Sequence, residues 1–306
     1  MGETVMRNDI VALFPGQGSL ASGAGIAWRD SKHWSILSEI SQAANTDVEY
    51  LLLEASGDEV VRTDNAQIAT FALSIIGFRE LCDTGILPRY LLGHSLGEFS
   101  ALVAAGLLTL TDGAHLIGMR GRAMAEAAEL SNGTMIAVMG AEEGARENLD
   151  GLEGVWVANI NGTGQIVLSG TRAGLDYVLA NHKALGWKRA TPLPVGGAFH
   201  SPLMASAQAA LDGGLANVAW GSTGHIVIAN VDGAEHTLAS DWQSLLSRQM
   251  TSPVQFLDAT LALPSSVTST IEMPPAGVLT GLTKRIREFQ IQISPSSVQE
   301  MREVSL

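Results

Sequence analysis

Apolar and polar positions along the chain follow two rhythms, and the switch between them divides the sequence. In the first, short unbroken apolar runs alternate with helical repeats. Ile10-Val11-Ala12-Leu13-Phe14 is such a run, suited to a strand buried on both faces of a sheet. It ends in Pro15-Gly16-Gln17-Gly18-Ser19, a loop that leaves backbone amides free at the strand's C-terminal edge. Helical spacing follows over 34–44, 48–54 and 66–83, then a strand at Tyr90-Leu91-Leu92 and helices over 99–108 and 112–130.

From residue 134 the pattern changes. It predicts a strand over 134–140, a helix over 141–149, strands over 155–160 and 165–169, a helix over 172–184 and a strand over 189–195. This β-α-β-β-α-β order describes a ferredoxin-like unit of roughly 65 residues. The first rhythm then returns, with a strand over 225–230, a helix over 241–249, a strand over 270–273 stopped by Pro274-Pro275, and a helix over 278–287. The expected architecture is an α/β, hydrolase-like core with a parallel sheet, formed by 1–130 and 196–306. The ferredoxin-like subdomain, 131–195, is inserted into it. The polar tail over 288–306 is expected to be partly disordered.

Composition narrows the function. A length of 306 residues suits one large domain carrying a smaller insert. With 46% hydrophobic, 16% charged and 5% aromatic residues, the core has to be built from Leu, Val, Ile, Ala and Met. A net charge of −13 excludes nucleic acid and anionic membrane as natural partners, since both need a basic face. Cys82 stands alone, so no internal disulfide forms. The seven histidines lack ligand spacing, and no metal is expected. Residues 1–9 lack the features of a signal peptide, and the apolar stretch 99–110 is too short to span a bilayer. A cytoplasmic, monomeric protein is expected.

The chemistry concentrates at Gly93-His94-Ser95-Leu96-Gly97. A G-x-S-x-G run after a strand and before a helix is the sequence form of a nucleophile elbow, in which the glycines permit a sharp turn that exposes the serine. The Leu96 amide sits at a helix N-terminus, where unpaired N–H groups favour an oxyanion. Gln17 and Ser95 both fall at C-terminal strand ends, where sites gather in open α/β sheets. A serine needs a base. Of the histidines, His200 in the turn-prone Gly196-Gly197-Ala198-Phe199-His200-Ser201-Pro202 has the most suitable setting, whereas His94 is adjacent to the serine and points away from it. An α/β-hydrolase would add a loop carboxylate late in the chain, and none is evident.

These segments resemble the malonyl-CoA:acyl-carrier-protein transacylases, the acyltransferases of fatty acid and polyketide synthesis. The likeness is carried by Phe14-Pro15-Gly16-Gln17-Gly18-Ser19, Gly93-His94-Ser95-Leu96-Gly97-Glu98, Met119-Arg120-Gly121-Arg122, Asn161 with Gly164-Gln165, Ala198-Phe199-His200-Ser201, Arg248-Gln249 and 278–285. The resemblance implies that Ser95 is the nucleophile and His200 its base. It implies that a main-chain carbonyl at Gln249 orients the imidazole, and that the amides of Gln17 and Leu96 form the oxyanion hole. Arg120 would grip the malonyl carboxylate, Phe199 would disfavour a branched acyl group, and His94, Asn161 and Gln165 would complete the substrate site. The implied partners are malonyl-CoA and an acyl carrier protein bearing phosphopantetheine. No resident cofactor is implied, coenzyme A entering as part of the substrate.

Two departures from the family pattern stand out: Leu20 replaces a second glutamine, with little expected consequence, while 257–269 is short and Met273-Pro274-Pro275-Ala276-Gly277 replaces a glycine-proline-glycine form, which bears on the pocket floor or the carrier-docking edge and so on the partner. An editing hydrolase, a trans-acting polyketide acyltransferase and a non-catalytic scaffold are the rival readings. Lys188, Arg189, Lys284, Arg285 and Arg287 are candidates for a basic patch facing an acidic carrier.

Overall fold

The computed structural model describes residues 6–306, the side chain of Ser19 excepted; of the N-terminal stretch, residues 1–5 lie outside the described residues. The first part of the chain runs β1 (Met6–Phe14), α1 (Ile36–Ala44), α2 (Val48–Leu53), α3 (Gly57–Val60), α4 (Thr63–Asp83), β2 (Leu87–Gly93), α5 (Leu96–Ala104) and α6 (Leu110–Ser131). Then come β3 (Gly133–Ala141), β4 (Val155–Gly162), β5 (Gln165–Thr171), α7 (Arg172–Asn181) and β6 (Trp187–Pro192). The last part holds α8 (Ala205–Leu215), β7 (Ile226–Ile228), β8 (Glu235–His236), α9 (Ala239–Gln249), α10 (Phe256–Ala262), β9 (Ser269–Glu272), α11 (Val278–Ile286), β10 (Ile291–Ile293) and α12 (Val298–Arg302).

The fold is α/β with two separate sheets. In the larger, ordered β10-β9-β1-β2-β7-β8, every pairing is parallel except that of the short β8. The apolar run of β1 explains its central place. Ile10, Ala12 and Phe14 join the core on one face with α4, α5 and α6, while Val11 and Leu13 join the core on the other with Phe256, Leu279 and Leu282. A strand with both faces covered has no room for polar alternation. The smaller sheet is antiparallel, ordered β4-β5-β3-β6, and has its own core around Ile136, Val138, Leu168, Val178 and Trp187. Strand β4 is tied to the segment between α9 and α10 where Ile160 donates to the Val254 carbonyl and Val254 to that of Ala158, both at 2.9 Å.

Three expectations require correction. The helix over 141–149 does not form; a 3-10 turn, Glu147–Leu149, takes its place. Gly144 adopts φ 75° in the middle of that stretch, and Asn148 and Asp150 are poor helix formers, so local preference defeats the apolar spacing. The first helical element of a β-α-β-β-α-β unit is thus reduced to one turn. The helix after the elbow starts at Leu96 rather than Phe99. The tail is ordered: β10 pairs in parallel with β9, and α12 buries Val298 and Met301. Arg302 also bonds both oxygens of the buried Glu80, Nε to Oε2 at 3.0 Å and Nη2 to Oε1 at 3.2 Å. Sequence polarity misled here because a few apolar residues one turn apart suffice to dock a short helix. Among the described residues, no helix is long and apolar enough to cross a membrane.

Met301 is fully buried. Met301→Ala is expected to lower the unfolding free energy by about 2–5 kcal/mol, the usual cost of emptying such a site. Urea unfolding would measure it; an unchanged midpoint would mean that the tail is not docked in solution.

Candidate active site

Only His94 and Ser95 separate β2 from α5, so the chain reverses in two residues. Ser95 takes φ 55° and ψ −114°, a sparsely populated conformation whose cost is about 1–3 kcal/mol. Its neighbours explain how the turn is tolerated. A Cβ on Gly93 would stand 2.1 Å from the Gly97 carbonyl carbon, and one on Gly97 2.0 Å from the Phe14 carbonyl oxygen. Only bare glycine lets the turn close against both α5 and the end of β1. The amide of His94 donates to the Phe14 carbonyl at 3.0 Å. From the other side Asn230 braces the elbow: its Oδ1 accepts from the Ser95 amide and its Nδ2 donates to the Gly93 carbonyl, each at 2.7 Å.

The loop between β6 and α8 brings His200 to the serine, again with a positive φ, 56°. Nε2 lies 2.7 Å from Ser95 Oγ and Nδ1 lies 2.8 Å from the main-chain carbonyl of Gln249. A carbonyl can only accept, so the proton sits on Nδ1 and the lone pair of Nε2 faces the hydroxyl. The missing carboxylate is thereby explained by a peptide oxygen.

Arg120, on the inner face of α6, is 1% exposed and ends on the same serine. Its Nη2 donates to Ser95 Oγ and to Gln249 Oε1, both at 3.0 Å, and its Nη1 donates to Gln67 Oε1. Among the described residues its Nε has no partner. Gln17 opens a 3-10 turn after β1, and Leu96 is the first residue of α5. Neither amide is taken by a protein acceptor among the described residues. The arrangement thus unites a hydroxyl, a neutral base, two free amides and a buried cation, the groups needed to attack an acyl carbon and hold a carboxylate.

Comparison with known proteins gives this chemistry a family. A model described as an acyl transferase domain matches residues 11–300. The chain belongs to the acyl transferase domain family. It is 37% identical over 285 residues to the malonyl CoA-acyl carrier protein transacylase of Bacillus subtilis strain 168, with 90% of each chain covered. Among solved structures it resembles the malonyl-CoA:acyl carrier protein transacylase of Xanthomonas oryzae pv. oryzae, with a TM-score of 0.90, 33% identity and 97% of both chains covered. It also resembles a malonyl-transacylase in complex with a type II PKS acyl-carrier protein, with a TM-score of 0.89, 29% identity, and 96% of this chain and 97% of that one covered.

Within this acyl transferase domain, burial sets the charge states. Burial lowers the His200 imidazole to about 3, helped by the neighbouring Arg120 guanidinium, so it is neutral at any physiological pH. Burial lowers Arg120 to about 10, opposed by Glu98. His94 is lowered by burial too. Its Nε2 meets Asn161 Oδ1 at 3.0 Å, joining the elbow to β4. Phe199 precedes His200 in the chain and is buried, and Gln165 lies at the start of β5. Gln165 is taken by Arg285 at 2.7 Å, and Phe199 packs in the main apolar core.

Sequence reasoning passed over three residues of this site. Asn230 lies two residues past the apolar strand β7, at the sheet's C-terminal edge, a placement that could have flagged it. Gln67 is a polar residue near the start of α4, within a stretch, 66–78, that is buried throughout. Glu98 belonged to the recognised motif but received no role.

Asn230→Ala would leave the Ser95 amide and the Gly93 carbonyl without partners. A loss of about 1–3 kcal/mol in unfolding free energy is expected. Denaturant titration checks it, and a variant as stable as its parent would show that the elbow needs no brace.

Proposed function

We propose that this chain is an [acyl-carrier-protein] S-malonyltransferase. It moves a malonyl group from malonyl-CoA to the phosphopantetheine thiol of an acyl carrier protein through an acyl-enzyme on Ser95. The observation that carries the reading is a single hydroxyl bonded both to the His200 imidazole and to the Arg120 guanidinium. A simple hydrolase has no use for a cation buried at its nucleophile, whereas an acyl group ending in a free carboxylate does.

In the first half-reaction, Nε2 of His200 takes the hydroxyl proton as Ser95 Oγ bonds to the thioester carbon. The oxyanion rests on the amides of Gln17 and Leu96. The C–S bond then breaks, and the coenzyme A sulfur leaves with the proton held by His200. In the second half-reaction His200 takes the proton of the carrier thiol, the sulfur attacks the serine ester, and Ser95 recovers its proton. Arg120 acts in both halves. By holding the malonyl carboxylate it orients the acyl carbon, and the carboxylate offsets the positive charge that depresses His200.

The division into 1–130 with 196–306 and an inserted 131–195 belongs to the same proposal, as do the names hydrolase-like and ferredoxin-like. In support, the nucleophile follows a parallel strand, and the antiparallel strands close over a core distinct from those of the larger sheet. For the carrier, Lys188 and Arg189 on β6 and Lys284 and Arg285 on α11 are exposed cations in an otherwise acidic protein. Arg287 leaves that group, because its guanidinium donates to the carbonyls of Leu263, Pro264 and Val267 and lies over the Phe289 ring.

Incubation with malonyl-CoA is expected to add one malonyl group to the intact mass, and Ser95→Ala to abolish the adduct. An unmodified wild-type mass at saturating substrate refutes the reading. Arg120→Ala is expected to cost malonyl transfer ~1.5–3 kcal/mol, the scale of a hydrogen bond to a charge, and acetyl transfer much less. Equal losses for both acyl groups would remove Arg120 from carboxylate recognition. Reversal of Lys284 and Lys188 to Glu is expected to raise the carrier KM and flatten its dependence on salt; an unchanged KM for carrier would place docking elsewhere.

A further inference from the structure

Glu98 lies in the first turn of α5, three residues beyond the nucleophile, and is fully buried. Acyl transfer from Ser95 assigns it no step. Yet its two oxygens hold two different parts of the site. Oε1 accepts from the backbone amide of Asn230 and Oε2 from Nε2 of Gln249, both at 2.6 Å. Asn230 is the residue that braces the elbow on either side of the serine. Gln249 reaches everything else: its main-chain carbonyl takes His200 Nδ1, its Nε2 also donates to the Ser95 carbonyl at 2.9 Å, and its Oε1 accepts from Arg120.

The Gln249 carboxamide is therefore suspended between a cation and an anion. Its oxygen faces Arg120 and its nitrogen faces Glu98. Flipping the amide would set N–H against guanidinium and oxygen against carboxylate, so the charges at its two ends select one orientation. A carboxylate is an acceptor at both oxygens, as these contacts require; a neutral carboxyl or an amide at position 98 is not. The charged side chains facing Glu98 are Arg120 on α6, which favours its ionised form, and Asp232 in the turn after β7, which opposes it.

We propose that the Glu98 carboxylate is the positioning residue of this site: by accepting from Asn230 and Gln249 it locks the elbow, the imidazole and the guanidinium into one arrangement, and acyl transfer requires it ionised. The inference rests on the reading of Ser95 as the acyl-carrying nucleophile. It has a signature in pH. Burial pushes the Glu98 carboxyl up to about 7, whereas burial holds His200 down at about 3. As pH falls through about 7, Glu98 gains a proton while His200 stays neutral. The rate therefore falls on the acid side, and that limb belongs to Glu98.

The test follows the rate of Ser95 malonylation from malonyl-CoA by rapid quench and intact mass, over about pH 5.5 to 8.5, in the wild type, Glu98→Gln and Glu98→Asp. The wild-type rate is expected to rise with pH through a midpoint near 7. Glu98→Gln is expected to be slower at the alkaline end by roughly 10–100-fold, the loss of a charge-assisted hydrogen bond, and to show no limb. Glu98→Asp, which keeps the charge, is expected to retain the limb and recover part of the rate. A limb of unchanged midpoint in Glu98→Gln, a Glu98→Gln rate equal to wild type, or a flat wild-type profile overturns the proposal. Where Glu98→Gln does not fold, wild-type protein carrying carboxyl-labelled glutamate serves instead. A buried carboxyl that titrates with the midpoint of the rate supports the proposal, and the absence of one overturns it. Absence of any adduct in the wild type refutes the acyltransferase reading itself, whereas an adduct with an indifferent Glu98→Gln refutes only this inference.

Discussion

A guanidinium held in the dry interior, 3.0 Å from a serine hydroxyl, is the constraint to which the rest of the site answers. Burying a charge is costly unless hydrogen bonds and an opposite charge compensate it. Here the compensation comes from Gln67 and Gln249, from the face of the Phe99 ring 5.5 Å away, and from Glu98 beyond the Gln249 amide. The same cation dictates what can partner the histidine. An imidazole beside a fixed positive charge stays neutral, and a peptide carbonyl at Nδ1 orients it without adding a second buried anion next to Ser95.

The scaffold meets this demand by making two tight turns converge. Ser95 and His200 both hold positive φ without being glycine, and each is pinned by bonds from elsewhere in the chain: the elbow by Phe14 and Asn230, the histidine by Gln249. Backbone strain of this kind persists only where the surroundings over-determine it. The parallel pairing of β1 with β2, in register from Val11 with Tyr90 to Phe14 with Gly93, delivers the Gln17 loop and the serine to the same edge. The smaller sheet reaches that edge through Asn161 and His94, so the elbow touches both sheets.

Legibility differed by element for physical reasons. Strands β1, β2 and β7 of the larger sheet announced themselves because burial on both faces leaves apolar runs, and α4 because its buried stretch 66–78 is mostly apolar. The 141–149 stretch deceived, since its apolar spacing concealed a glycine that takes a left-handed conformation. The tail deceived in the opposite sense: β10 and α12 are ordered by pairing with β9 and by packing on α4, and neither force leaves a strong mark on a mainly polar segment. In the site, Ser95, His200 and Arg120 were readable from motif, turn chemistry and family likeness. Asn230 and Gln67 were not, because a lone amide acquires meaning only from what it faces.

By itself the sequence determined the local events: where strands are buried on both sides, where two glycines allow a serine to stand out of a turn, and which residue types for acyl chemistry the chain carries. These depend on neighbours a few positions apart. Only the tertiary structure decided that one glutamine, 154 positions from the serine, ties together the serine backbone, the imidazole, the guanidinium and a buried carboxylate. Hydrogen-bond partners and charge states are properties of distance and burial in three dimensions, and no spacing along the chain encodes them.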